Sequence, residues 1–185
     1  MPTATGRPLE VRTLVQLDPS EVGRIWADYE RTFQQNARFN PCRQYYHRED
    51  FLEAMVAGHY EKIVGIQGGE IVFMVLVTTE FDKITWIEPA FYDHHWPELR
   101  DKRMYISVIY IRQDKKGSPR LFKQLIKSIL GYMSERSIEA VFYDHGGDGP
   151  IQSLTDVVHF ITGAQVLQPT GTQVYGGFLY GTESS

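Results

Sequence analysis

The sequence predicts an α/β domain whose sheet mixes strand directions. Three stretches carry that expectation. Residues 104–136 read as a strand, a short basic turn holding Gly117, and a long amphipathic helix. Residues 62–67 and 70–79 read as two strands joined by Gly68-Gly69, a strong hairpin signal. Residues 138–143 supply a further strand straight after the long helix. A hairpin and a strand–helix–strand unit therefore share one chain of 185 residues, a length that suits a single domain.

Each element has its own warrant. Met1 to Pro8 reads as a flexible leader, and the domain as residues 9–185. Residues 9–17 carry an imperfect alternation around Leu9, Val11 and Thr13, read as a first strand. Asp18-Pro19-Ser20 is a helix start, and Val22, Ile25, Trp26, Tyr29 and Phe33 mark a helix ending near Ala37. Asn40-Pro41 interrupts the chain. Residues 49–57 form a second short helix with Phe51, Leu52, Met55 and Val56 on one face, stopped by Gly58. Residues 80–103, rich in aromatics and histidine, are expected as an extension and loop.

In the helix that opens at Pro119, apolar residues recur at Phe122, Leu125, Ile126, Ile129, Leu130 and Met133, one face of a 3.6-residue period. After the strand 138–143 comes the glycine-rich turn 144–149. Pro150 then suits a helix first turn, followed by a stripe of Ile151, Leu154, Val157, Val158 and Ile161 with Gly163 as its stop. Residues 166–168 and 173–180 close the pattern as strands. No repeat, linker or low-complexity tract calls for a second domain.

Composition narrows the function classes. A formal net charge of −4 and a pI near 5.9 argue against a generic grip on nucleic acid. Cys42 is the only cysteine, which excludes an intramolecular disulfide and a cysteine-based zinc site. No signal peptide pattern opens the sequence, and its longest strongly apolar run, from Ile71 to Val77, is too short to cross a bilayer. A cytoplasmic protein without a membrane partner is the expectation.

The junction after Ile111 carries the chemistry. A helix start beside a strand end points backbone N–H groups at an anion, and Lys115, Lys116 and Arg120 surround it. These cations are either phosphate ligands or a solvated basic loop.

The element order over residues 9–180, and more sharply the segment 104–168, resembles the GNAT superfamily of acyl-CoA-dependent N-acyltransferases. The family turn, Arg/Gln-x-x-Gly-x-Gly/Ala, falls on Lys116-Gly117-Ser118-Pro119-Arg120-Leu121, with Leu125-Ile126 as the following apolar pair. An alternative register sets Asp114 at the basic position and Gly117 at the first signature glycine. The departures are Pro119, which donates no N–H, and Leu121, where small residues are expected. Ser118-Pro119 remains a good cap and first-turn pair.

The resemblance implies a mixed, mostly antiparallel, twisted sheet flanked by about four helices. It also implies acetyl-CoA or another acyl-CoA as co-substrate. The pyrophosphate would lie on Lys115, Lys116, Gly117, Ser118, Arg120 and Leu121, and the strand end at Tyr110-Ile111 would offer a backbone N–H to the thioester carbonyl. Asp144 loosely matches a family asparagine that contacts the pantetheine arm. His159 occupies the position that often protonates the departing thiolate, a task open to histidine near neutral pH. Homodimers are common in the family.

The segment 80–103 interleaves Phe81, Trp86, Phe91, Tyr92 and Trp96 with Asp82, Glu88, Asp93, His94, His95 and Glu98. Such a set either walls a pocket for a protonated amine, with Glu88 or His94 as proton acceptor, or fills core with its aromatics. His145 is a second, weaker acid/base candidate. No metal site is expected, since adjacent histidines diverge in a strand and no helical His-x-x-x-His pair occurs. The leading expectation is transfer of an acetyl group to a primary amine of a small molecule by direct attack, since Cys42 lies outside the recognisable cleft. The alternatives are a carrier protein's pantetheine arm as donor, or a non-catalytic module that kept the fold.

Overall fold

The computed structural model describes residues 8–37 and 46–143. Residues 8–33 and 46–143 form one compact body. The expected leader, Cys42, Asp144, His145, His159, the helix over 151–162 and the two closing strands lie outside the described residues.

Among the described residues, five strands form one sheet in sequence order: β1 (Leu9–Leu14), β2 (Glu61–Gln67), β3 (Glu70–Thr78), β4 (Arg103–Ile111) and β5 (Ala140–Tyr143). The first three pairings are antiparallel, and β4 pairs with β5 in parallel. A parallel neighbour needs a crossover, which the helix between those strands supplies. Four helices accompany the sheet among the described residues: α1 (Pro19–Ala37), α2 (Arg48–Val56), α3 (Pro89–His95) and α4 (Pro119–Glu135). The expected mixed, mostly antiparallel sheet with helices is what the chain forms.

Burial follows the patterns in the sequence. β3 is buried along every residue but Glu70, as a central strand should be. On one sheet face Val64, Met74, Leu76, Val108 and Tyr110 meet Ile25 and Tyr29 of α1 and Phe51 and Met55 of α2. By alternation the other face carries Ile63, Phe73 and Val75. Here α4 buries Leu121, Leu125, Ile126, Ile129 and Tyr132. Its last turn is tied to β2: Tyr132 donates to Glu61, and Arg136 Nη2 donates to the same carboxylate at 2.9 Å. Arg136 also stacks over the Tyr132 ring at 4.0 Å.

α1 starts where expected, with the Ser20 N–H donating to Asp18 Oδ1 at 2.8 Å. β1 is shorter than the expected 9–17 and exposed at its four inner residues, an edge strand guarded by an Arg12–Glu10 pair.

α4 ends in a Schellman turn: the Ile138 N–H donates to the Met133 carbonyl at 2.9 Å, and Ser137 takes the left-handed conformation at φ 55°. Glycine is the residue free of strain there. Ser137→Gly should raise stability by about 0.5 to 1 kcal/mol, read as a higher urea midpoint; an unchanged or lower midpoint would contradict it.

Residues 80–103 depart from the expected loop. They hold α3 between two single 3₁₀ turns, Phe81–Lys83 and Pro97–Leu99. Glu88 caps α3 by accepting the Ala90 N–H at 3.2 Å, and Pro89 occupies its first turn. That acid–proline pair signalled the helix. Seven residues of aromatic and histidine content gave too little periodicity to reveal it. The aromatics build a satellite core of Phe81, Ile84, Tyr105 and Phe142 with Trp86, Tyr92 and Trp96. Within it Arg103 pairs with Asp93 at 2.6 Å and lies 4.3 Å from the Phe81 ring centre.

Candidate active site at the end of the fourth strand

A backbone irregularity prepares the site. Along β3 and β4 the register passes from Leu76↔Val108 to Val77↔Ile106, so Ser107 is an extra residue on β4. Such a bulge bends its strand and increases the twist. β5 pairs with β4 only from Arg103 to Ile106 among the described residues. The second half of β4, Ser107 to Ile111, is thus the part that runs on toward the turn.

Hydrogen bonding fixes which N–H groups that half-strand presents. The Arg112 N–H donates to the Val72 carbonyl at 3.0 Å. In an antiparallel ladder the donors alternate between edges, so Tyr110 directs its N–H toward β3. Ile111 and Ile109 direct theirs to the other edge. Of the two residues expected to meet a thioester carbonyl, Ile111 has the suitable direction. The Tyr110 hydroxyl instead donates to Asp28 Oδ2 at 2.9 Å. Burial, then that carboxylate, push its pKa well above the ordinary tyrosine value.

After Ile111 the chain makes a 3₁₀ turn over Gln113–Lys115 and reaches α4 through Lys116, Gly117 and Ser118. Gly117 has φ 82°, a region that side chains rarely adopt. Ser118 caps α4, its Oγ accepting the Leu121 N–H at 3.3 Å. Between the strand end and the helix start lies a cavity of about 240 Å³ lined by Ile111, Lys115, Gly117, Ser118, Pro119, Leu121 and Phe122. The structure therefore gathers Ile111, Lys115, Gly117, Ser118 and Leu121 around one hollow, with Lys116 and Arg120 exposed beside it.

The backbone donors of this turn are mostly engaged. Ser118 N–H donates to the Lys115 carbonyl, Lys116 N–H to Gln113 and Phe122 N–H to Ser118. Pro119 has none. Gly117 and Arg120 keep N–H groups that no described residue takes up. Arg112, at the strand end, is not available to an anion. Its guanidinium grips Asp114 at 2.6 and 2.9 Å and Glu70 at 2.5 Å. Asp114 is held below the usual carboxylate range by that contact. No local pattern announces this clamp, because Glu70 is 42 residues away along the chain.

Glu88 and His94 lie elsewhere. Both are exposed and belong to the α3 segment, which packs near Arg103 and Tyr105 at the start of β4. A nine-residue strand spans about 27 Å from that start to Ile111, so the structure does not bring these two residues together with the turn. The rings of His94 and His95 meet edge-on at 5.1 Å. Among the described residues, no three His, Cys, Asp or Glu side chains converge on a metal position. No described helix is long and apolar enough to cross a membrane.

No protein-family model matches the sequence, and no curated protein does. Solved structures do match. One is a ribosomal-protein-alanine N-acetyltransferase from Brucella melitensis biovar Abortus 2308, at 14% identity and TM-score 0.57, over 91% of this chain and all of that one (100%). Another is an aminoglycoside acetyltransferase from an uncultured soil metagenomic sample, in complex with sisomicin, at 13% identity and TM-score 0.53, over 95% and 97% of the two chains. A third is an aminoglycoside N-acetyltransferase in complex with CoA, at 11% identity and TM-score 0.54, over 95% and 98%.

Proposed function

The chain has the fold of the GNAT acetyltransferases, and from that premise we propose that it transfers an acyl group from an acyl-CoA thioester to a primary amine of a small molecule. The observation that carries this reading is the cavity between Ile111 and Phe122, where the bulged strand ends and α4 begins. One of the similar structures holds CoA, and two are named for acetylation of aminoglycosides.

The residues have distinct tasks. Gly117 and Arg120 offer backbone N–H groups, and Lys115, Lys116 and Arg120 offer charge, to the diphosphate of the donor. The outward N–H of Ile111 donates to the thioester oxygen, where negative charge develops as the amine attacks. The amine nitrogen bonds to the carbonyl carbon and the carbon–sulfur bond breaks. The family resemblance assigns Asp144 to the pantetheine arm. It also assigns His159 the proton for the departing thiolate, and the proton lost by the amine goes to water.

The test is turnover of acetyl-CoA with a panel of amines, followed by release of free thiol. CoA at a hundred times its Kd should add about 2.7 kcal/mol of stability by mass action. The absence of both turnover and a thermal shift with every acyl-CoA tried would refute the proposal. Ile111→Trp should fill the cavity and lower kcat/KM for acetyl-CoA at least about tenfold, a loss of about 1.4 kcal/mol in transition-state binding. Tryptophan is well tolerated in strands, so circular dichroism should be unchanged. Full activity in that variant would remove the cavity from the mechanism.

A further inference from the structure

The exposed side of α4 is the strongest unexplained charge feature among the described residues. Arg120, Lys123 and Lys127 are all exposed and spaced so that they share one helix face. No described acid pairs with any of them, and α4 holds no acidic residue before Glu135. The arrangement works against the helix itself. Like charges three and four residues apart repel, and a cation in the first turn opposes the helix dipole. It also runs against a chain whose net charge is −4. Nothing within the described fold compensates these costs, which points to a negatively charged partner.

The same helix begins at the cavity. There Pro119 supplies no N–H and Ser118 occupies that of Leu121. Two backbone donors, those of Gly117 and Arg120, are left beside the lysines to meet a donor's diphosphate. A donor whose pantetheine arm hangs from a protein brings no diphosphate to them. It must be recognised through the surface that carries the arm.

We propose that the α4 face formed by Arg120, Lys123 and Lys127 docks an acidic carrier protein, which presents the acyl group on a pantetheine arm to the cavity between Ile111 and Phe122. This deepens the acyl-transfer reading and rests on it. The bonds exchanged are the same: the amide forms, and the carrier's pantetheine leaves as a thiol.

The probe is an acyl carrier protein bearing an acetyl group on its phosphopantetheine arm. Calorimetry in 50 mM salt, which needs no turnover, should show saturable binding. Raising the salt to 250 mM should weaken it about tenfold, since exposed charge pairs are screened. The variant Lys123→Glu/Lys127→Glu, whose side chains lie outside the cavity lining, should lose at least tenfold in affinity. Its kcat/KM for the acetyl-carrier should fall equally, while turnover of acetyl-CoA stays as in the parent. Absence of binding would overturn the proposal, as would unchanged binding by the variant or tighter binding of an oligonucleotide than of the carrier. Charge-dependent carrier binding with no turnover from either donor would sink the acyl-transfer reading and leave the docking face standing.

Discussion

Gly65→Ala is expected to destabilise the protein by about 3 kcal/mol, the upper range for forcing extra volume into a packed core. A Cβ at this position would lie 2.2 Å from Cε1, 2.5 Å from Cδ1 and 2.6 Å from Cζ of Phe73, the residue directly across from it in β3. Phe73 is fully buried, so its ring has nowhere to swing. The register also shifts between Gly65 and Ile66, which brings the two backbones into an arrangement built around the missing side chain. For a chain of this length the melting temperature should drop by roughly 6 to 12 °C. Trimming the ring in the double variant Gly65→Ala/Phe73→Leu should recover part of the loss, giving a favourable coupling energy in a double-mutant cycle. Equal melting temperatures for parent and Gly65→Ala would contradict the close approach.

The second large effect is a rise of stability with pH. Lys62 is fully buried, and its Nζ donates to the carbonyls of Val15 at 2.7 Å and Tyr60 at 3.0 Å. Burial lowers its pKa from 10.5 to about 8. Below pH 8 the folded and unfolded chains both carry the proton, and the full cost of burying the charge is present. Between 8 and 10.5 the unfolded chain holds a proton that the folded chain has released, so stability climbs with pH. From pH 7 to 9.5 this group alone should add about 2 kcal/mol.

Tyr46, Tyr110 and Tyr132 act in the opposite sense at higher pH. Burial raises each of their pKa values. Their hydroxyls ionise in the unfolded chain near pH 10 while staying neutral in the fold, and stability should fall above that point. Urea midpoints measured from pH 7 to 9.5 should rise for the parent and stay nearly flat for Lys62→Met. A parent curve as flat as the variant's would show that Lys62 keeps an ordinary pKa.

How the sequence announced these features depended on their range. The Gly68-Gly69 hairpin, the α4 stripe and the strand 104–111 are local patterns, and each fell within a residue or two of its place. So did the cavity turn, whose glycine, serine cap and proline are consecutive. Long-range partners left no local mark. Glu61 meeting Tyr132 and Arg136, Arg112 clamped by Glu70, and Lys62 reaching Val15 all depend on which strands become neighbours. The phase of the β4 ladder was equally hidden. A bulge at Ser107 adds one residue without any compositional signal, and only the Arg112–Val72 bond tells Ile111 from Tyr110. The cost of burying Lys62 was invisible for the same reason, since a lysine in a strand is most often at the surface.

The parallel pairing of β4 with β5, beside a described meander of antiparallel strands, has a consequence for the order in which the protein assembles. β1 to β4 join neighbours in sequence, whereas β5 must wait for the whole of α4 to cross over before it finds β4. Contacts with longer closure form later, so the meander and its flanking helices should fold first and β5 should dock last. Amide hydrogen exchange would then be slowest along Val72 to Val77 and distinctly faster in Ala140–Tyr143, an opening that exposes the satellite aromatics around Phe142 without unravelling the rest.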